Sequence, residues 1–192
     1  MINKILDIDK LLFLFLNNLG TPSWDPFWLL VSNKLCMFFI LTCVIFYYSY
    51  KSKYEYKHII YLLILLIFCL ALTDQIVNLF KNLFMRLRPC YDPEVLAYFP
   101  RILVDCAGEY GFVSGHAATS TSIVTLFILC YRSIHRVVKY ALISWVFIVS
   151  YSRIYLGKHY MLDVLFGMLL GFLIGFIIFK LYHFYIKKNN KK

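Results

Sequence analysis

Five apolar runs, at about residues 27–48, 58–80, 116–131, 137–156 and 160–185, decide what this chain can fold into. A hydrocarbon layer about 30 Å thick takes roughly 20 helical residues to cross. Within it, every backbone N–H and C=O must be satisfied inside a helix or a closed barrel. The runs lack the strict alternation of barrel strands. The expectation is an all-α integral membrane bundle of five transmembrane helices, a single domain over residues 1–192. Lys34 is a blemish in the first run, Asp74 lies inside the second, and the third is short and rich in Ser and Thr. Composition agrees: 61% of residues are hydrophobic and only 16% charged, against about a quarter charged in soluble domains.

Lys and Arg number 20 against 10 Asp and Glu, a formal charge of +10. No nucleic acid is expected as a partner, because the basic residues sit between apolar runs without a Gly-rich RNA motif or zinc-finger spacing. They orient the chain instead. Lys51, Lys53 and Lys57 follow the first run, and Arg132, Arg136 and Lys139 follow the third. Lys180, Lys187, Lys188, Lys191 and Lys192 close the chain, most of them in a basic tail at residues 183–192. With five spans these segments share one side, and Glu55 is their only acid. The positive-inside rule makes that side cytoplasmic. The outer side then receives the N-terminal segment and the loop at residues 81–115, and ordered loops of such length are usually functional. Residues 1–20 hold a short apolar block, Leu11 to Leu16, behind Asp7 and Asp9. The block is too short to span and lacks signal-peptide features, so it is expected as an interfacial helix.

Cys36, Cys43, Cys69 and Cys130 fall within apolar runs and suit small buried hydrophobes. Cys90 and Cys106 both fall in the outer loop. There they form a candidate disulfide, or remain two thiols if the compartment is reducing.

Three clusters stand at the outer ends of the spans. Lys81, Arg86, Arg88 and Pro89 end the second run, on the side the positive-inside rule depletes of cations. They are either a snorkelling cluster or a site for an anion. Ser114, Gly115 and His116 open the third run. Ser is a favoured N-cap, Gly admits a ligand to the backbone, and the first amides of a helix suit phosphate. Arg153, His159 and Asp163 span the join between the fourth and fifth runs. His159 and Asp163, four apart, share a helix face on which a carboxylate can orient an imidazole. That face continues through Gly167, Gly171 and Gly175, small residues at a spacing that marks helix packing. Two histidines among three cations suit attack on a phosphate ester. The cations hold the non-bridging oxygens, one imidazole attacks phosphorus and the other protonates the leaving oxygen. No carboxylate cluster offers a metal pair, so neither metal nor other cofactor is expected.

These residues carry a resemblance to the type-2 phosphatidic acid phosphatase family. Lys81 to Pro89 reads K-N-L-F-M-R-L-R-P and is similar to its K-x6-R-P motif. Phe112 to His116 resembles P-S-G-H, with Val113 where the family usually has Pro. Ser152 to Asp163, S-R-I-Y-L-G-K-H-Y-M-L-D, is similar to S-R-x5-H-x3-D. The resemblance implies a helical membrane phosphatase with His159 as nucleophile, oriented by Asp163, and His116 as proton donor. It implies Lys81, Arg88, Ser114, Gly115 and Arg153 around the phosphate. The same motifs occur in vanadium haloperoxidases, which are larger and soluble, unlike this chain.

Asp74 lies seven residues before Lys81 and so on nearly the same helix face. An acid within a span is a functional candidate, here as a partner of an active-site cation or as a hydrogen bond to another helix. The expected function is hydrolysis of a lipid phosphate or pyrophosphate at the outer face of a bacterial inner membrane, with the site toward the periplasm. Undecaprenyl pyrophosphate and the phosphate of lipid A are the favoured substrates. The lipid and the bilayer are the expected partners, without an obligate protein partner. The alternative is a non-enzymatic lipid-phosphate carrier, which needs the cations but not the paired histidines.

Overall fold

Small residues set a close contact between two helices of the protein. In the computed structural model, which describes residues 2–51, 56–131 and 134–189, α6 (Gly115–Cys130) packs along α8 (Met161–Asn189). A Cβ at Gly167 would lie 2.6 Å from the Ser114 carbonyl oxygen, and one at Gly175 would lie 2.5 Å from that of Ser122. Gly171 closes in the same way on the Ala118 carbonyl. The glycine stripe thus faces the bundle, and only glycine admits this approach. Around this pair stand α4 (Tyr56–Phe84) and α7 (Arg136–Tyr155). Leu126, Phe127, Val149, Ile174 and Ile178 form part of the core between them. The outer faces are apolar, with Ile64, Ile67 and Phe68 exposed on α4 and Leu165, Leu169 and Phe172 on α8. Helices bathed in hydrocarbon need such faces.

Among the described residues, three helices are long and apolar enough to cross a membrane: Ile60–Phe84, Arg136–Tyr155 and Met161–Tyr185. The other two expected spans differ from that reading. The first is not one helix. It is α2 (Asp25–Val31) and α3 (Lys34–Lys51), separated at Ser32 and Asn33 and bent by 56°. Asn33 Oδ1 accepts from the Leu35 amide and so supports the new helix start. The third, α6, has 16 residues, about 24 Å at 1.5 Å per residue. It can be short because other helices surround it rather than lipid. Of the orienting basic residues, Lys53, Arg132, Lys191 and Lys192 lie outside the described residues, as does Glu55.

The N-terminal helix α1 (Ile2–Asn18) turns two polar residues, Asp9 and Asn17, inward. Asp9, Phe13 and Asn17 are buried, while Ile5, Ile8, Leu11, Leu12 and Phe15 are exposed. Asn17 Nδ2 donates to the carbonyls of Arg101, Ile154 and Tyr155, each at 3.0 Å, and its Oδ1 accepts from the Arg101 amide at 2.7 Å. One side chain thereby ties α1, the outer loop and the end of α7.

That loop is ordered by its own bonds. The Arg88 amide donates to the Glu109 carbonyl at 2.9 Å and the Gly111 amide to that of Arg86 at 2.8 Å. Cys90 and Cys106 are joined in a disulfide, with Cα atoms 6.6 Å apart. Helix α5 (Pro93–Leu96) is capped by Asp92, which accepts from the Glu94 amide at 3.1 Å.

Candidate active site

The C-terminal ends of α4 and α7 and the N-terminal ends of α6 and α8 meet at one end of the bundle. They enclose a cavity of about 560 Å³. Lys81 from α4, Arg88 from the loop, Gly115 and His116 from α6, Arg153 from α7 and His159 all line it. Residues far apart in sequence are therefore gathered around one space. The Ser114 amide donates to the Asp163 carbonyl at 2.9 Å, which locks the start of α6 to the first turn of α8.

His159 is 3% exposed, and its Nδ1 lies 3.5 Å from Asp163 Oδ2. The ring nitrogen facing away from that carboxylate is Nε2. Burial, then the charges of Arg153, Arg88 and Lys81, hold the imidazole well below the ordinary histidine pKa. His159 is therefore neutral, the state in which an imidazole can act as a nucleophile. Asp163, fully buried, is held in turn. Its Oδ1 accepts from Arg86 at 2.8 Å and its Oδ2 from the Tyr160 amide at 3.0 Å. Gly111 abuts this pair; a Cβ there would lie 3.1 Å from Asp163 Oδ2.

Arg86 does more than belong to a basic cluster. Its second nitrogen donates to Asp9 Oδ2 at 2.7 Å, and its guanidinium lies 4.2 Å from the centre of the Tyr160 ring. Asp9 Oδ1 also accepts from the Leu162 amide at 3.0 Å. Burial raises the Asp9 carboxyl above its ordinary value, and Arg86 opposes the shift. Tyr160 Oη donates to Asp92 at 2.8 Å, and Asp92 pairs with Lys10 at 3.1 Å. Helix α1 thus grips the segment that carries His159 and Asp163 through Asp9 and Lys10, and nothing in the composition of residues 1–20 signalled it.

The break between α2 and α3 supplies a second unforeseen support. The Ser32 carbonyl lies 3.1 Å from His116 Nε2, and the Ser32 hydroxyl accepts from Arg153. Arg88 is buried and donates from Nε to the Tyr110 carbonyl at 3.0 Å. Ser114 occupies the N-cap position of α6, but its side chain makes no capping bond. Its hydroxyl is buried and without a partner among the described residues, as is Arg153 Nε. Buried polar groups of this kind call for a ligand or water. Asp74 lines the cavity and accepts from Asn78 Nδ2 at 3.2 Å. No ion pair within 4.0 Å joins it to Lys81 among the described residues. Lys34, Lys158 and Thr119 also line the cavity. Lys34 was legible as an ionisable residue inside an apolar run, the signal that marked Asp74.

Comparison with known proteins agrees with this geometry. The family model described as PAP2 superfamily matches residues 62–187. A lipid A 4'-phosphatase of Porphyromonas gingivalis is 29% identical over 179 residues, covering 93% of this chain and 74% of the relative. A lipid A 4'-phosphatase of Bacteroides thetaiotaomicron is 30% identical over 169 residues, covering 87% and 73%. The crystal structure of Aquifex aeolicus LpxE superposes with a TM-score of 0.67 at 26% identity, covering 88% of this chain and 93% of that one. A PAP2 type phosphatidylglycerolphosphate phosphatase from Bacillus subtilis shares the fold at a TM-score of 0.71 and 18% identity, covering 94% and 87%.

Proposed function

The chain belongs to the PAP2 superfamily, and on that premise we propose that it is a metal-independent phosphatase acting on a membrane lipid, with a lipid A phosphate as favoured substrate. The observation that carries the reading is the convergence of His116, His159, Lys81, Arg88 and Arg153 on one cavity, with Asp163 behind His159. The lipid A 4'-phosphatases among its relatives favour lipid A over a polyprenyl pyrophosphate.

Lys81, Arg88 and Arg153, with the Ser114 hydroxyl and the Gly115 amide, hold the non-bridging oxygens and stabilise their charge in the transition state. His159 Nε2 attacks phosphorus and the ester P–O bond breaks. The Ser32 carbonyl accepts from His116 Nε2, so the proton that moves to the leaving oxygen comes from Nδ1 of the His116 imidazolium, which is left as the neutral ring protonated on Nε2. Water then attacks the phosphohistidine, giving a proton back to His116, and the P–N bond breaks to release phosphate and free His159. Asp163 stabilises the imidazole as it gains charge. Asp74 acts at longer range on the cations of the cavity. The site faces the periplasm from the bacterial inner membrane, where α1 lies along the surface with its exposed apolar residues in the lipid.

Purified protein in detergent should release phosphate from lipid A in the presence of EDTA. A 32P-labelled phosphohistidine should be trapped in wild type and be absent from His159→Ala. Binding of the lipid without phosphate release would instead make the protein a carrier.

A further inference from the structure

The cavity holds more positive charge than one phosphate ester needs. Lys81, Arg88 and Arg153 already exceed a monoester, whose charge is about −1.5 to −2 near neutral pH. Lys34 and Lys158 line the same cavity, and Asp74 is the only acid among the described residues that do. Five cations against one carboxylate leave a net charge of +4 before either histidine is counted.

Lys34 and Lys158 come from places that the three motifs do not define. Lys34 is the first residue of α3 and reaches the cavity because the helix breaks at Ser32 and Asn33. It stands close enough to Lys81 and His116 to act on both electrostatically. Lys158 lies in the turn between α7 and α8, immediately before His159. It is half-buried beside Arg153 and Arg88, whose like charges and its own burial oppose its ammonium. Gathering like charges in a partly buried space is costly unless an anion joins them. Lysine suits an anion whose position varies, since it is a point charge on a flexible stem rather than a fixed fork.

We propose that Lys34 and Lys158 form a second anion subsite beside the scissile phosphate, which takes a second anionic group of the same lipid headgroup. This rests on the cavity being a lipid-phosphatase site. The second group has two possible sources. One is the adjoining phosphoryl of a lipid diphosphate; the other is a separate carboxylate or phosphate on a neighbouring position of a sugar headgroup.

The test compares kcat/KM for three detergent-dispersed substrates: a lipid monophosphate without another charge, a lipid diphosphate, and a phosphorylated glucosamine lipid with a second anionic group. Wild type should prefer one or both of the doubly anionic substrates. The Lys34→Gln, Lys158→Gln double variant should lower that preference about tenfold or more, and the doubly arginine-substituted variant should retain it. A ratio is insensitive to the fraction of folded protein. Loss confined to the diphosphate identifies the adjoining phosphoryl, and loss confined to the sugar lipid identifies the separate group. An unchanged ratio overturns the subsite while leaving the phosphatase reading intact. Phosphate release from none of the three by wild type overturns the phosphatase reading, and the subsite with it. Independently of turnover, pyrophosphate should raise the unfolding temperature of wild type more than orthophosphate at equal concentration. The double variant should lose that difference; no difference in wild type counts against the subsite.

Discussion

Arg86 donates to Asp163 at 2.8 Å, so the carboxylate beside His159 is held by a guanidinium that also grips Asp9 of α1. Removing one member of a buried ion pair costs about 3–5 kcal/mol, because the other charge is stranded. Arg86→Gln should therefore lower thermal stability. It should also reduce kcat by roughly tenfold to a hundredfold while moving KM much less, since Asp163 supports His159 rather than the substrate. Arg86→Lys should restore part of the rate. Asp9→Asn keeps the shape and should show a smaller effect in the same direction. A change in KM alone, measured by steady-state phosphate release, would contradict this chain of contacts.

His116 is tested through the leaving group. His116→Ala should slow hydrolysis of an alkyl phosphate by 10²-fold or more, the usual range for general acid catalysis. An activated aryl phosphate needs no proton and should be affected far less. Equal losses on both would reduce His116 to a structural or phosphate-binding residue.

Lys158 predicts a pH dependence with a definite sign. Burial, then Arg153 and Arg88, lower its pKa to about 8, with Asp105 opposing them. Lys34, Lys81, Asp74, His116 and His159 share the cavity with it. A lowered lysine pKa means that the charge is present below about pH 8 and lost above it. The preference for a doubly anionic lipid should therefore fall as pH rises through 8, although the substrate phosphate is already ionised there. In Lys158→Arg the fall should move to higher pH. An unshifted profile in that variant would assign the fall to another group.

Helix packing sets the position of the site. Gly171→Leu places a side chain against the Ala118 carbonyl. Overpacking typically costs about 1–3 kcal/mol. Backbone rather than a flexible side chain receives the clash, so the effect should reach the upper end of that range. A lower unfolding temperature in detergent, with weaker phosphohistidine trapping, is the expected result.

The disulfide between Cys90 and Cys106 closes the loop joining Arg88 to Ser114. A closed loop of about 15 residues is worth roughly 3 kcal/mol in the chain-entropy model. Cys90→Ser should lower thermal stability and raise KM more than it lowers kcat, because the cations lose their pre-organisation. Alkylation of both thiols without prior reduction would show that other contacts order the loop.

Residue type and short-range spacing carried much of this protein's description. Apolar runs located α4, α6, α7 and α8 to within a few residues, since helix extent in a membrane follows from local hydrophobicity and length. The spacings Lys81 to Arg88, Arg153 to His159 and His159 to Asp163 were legible because each pair is close in sequence, although Arg88 falls beyond the end of α4 and His159 before the start of α8. The inward face of α8 was legible for the same reason, as its glycines recur at helical spacing. What tertiary structure alone decided lies between distant segments. Arg86 meets Asp163 across 77 residues, Asp9 meets Leu162 across 153, and Ser32 meets Arg153 across 121. No local periodicity encodes such pairs. The break at Ser32 and Asn33 turned Lys34 from a flaw in a span into a lining residue, because backbone direction at a break depends on what packs against it. The sequence thus determined which groups were available for chemistry, whereas burial and long-range packing chose which of them face the same 560 Å³ cavity.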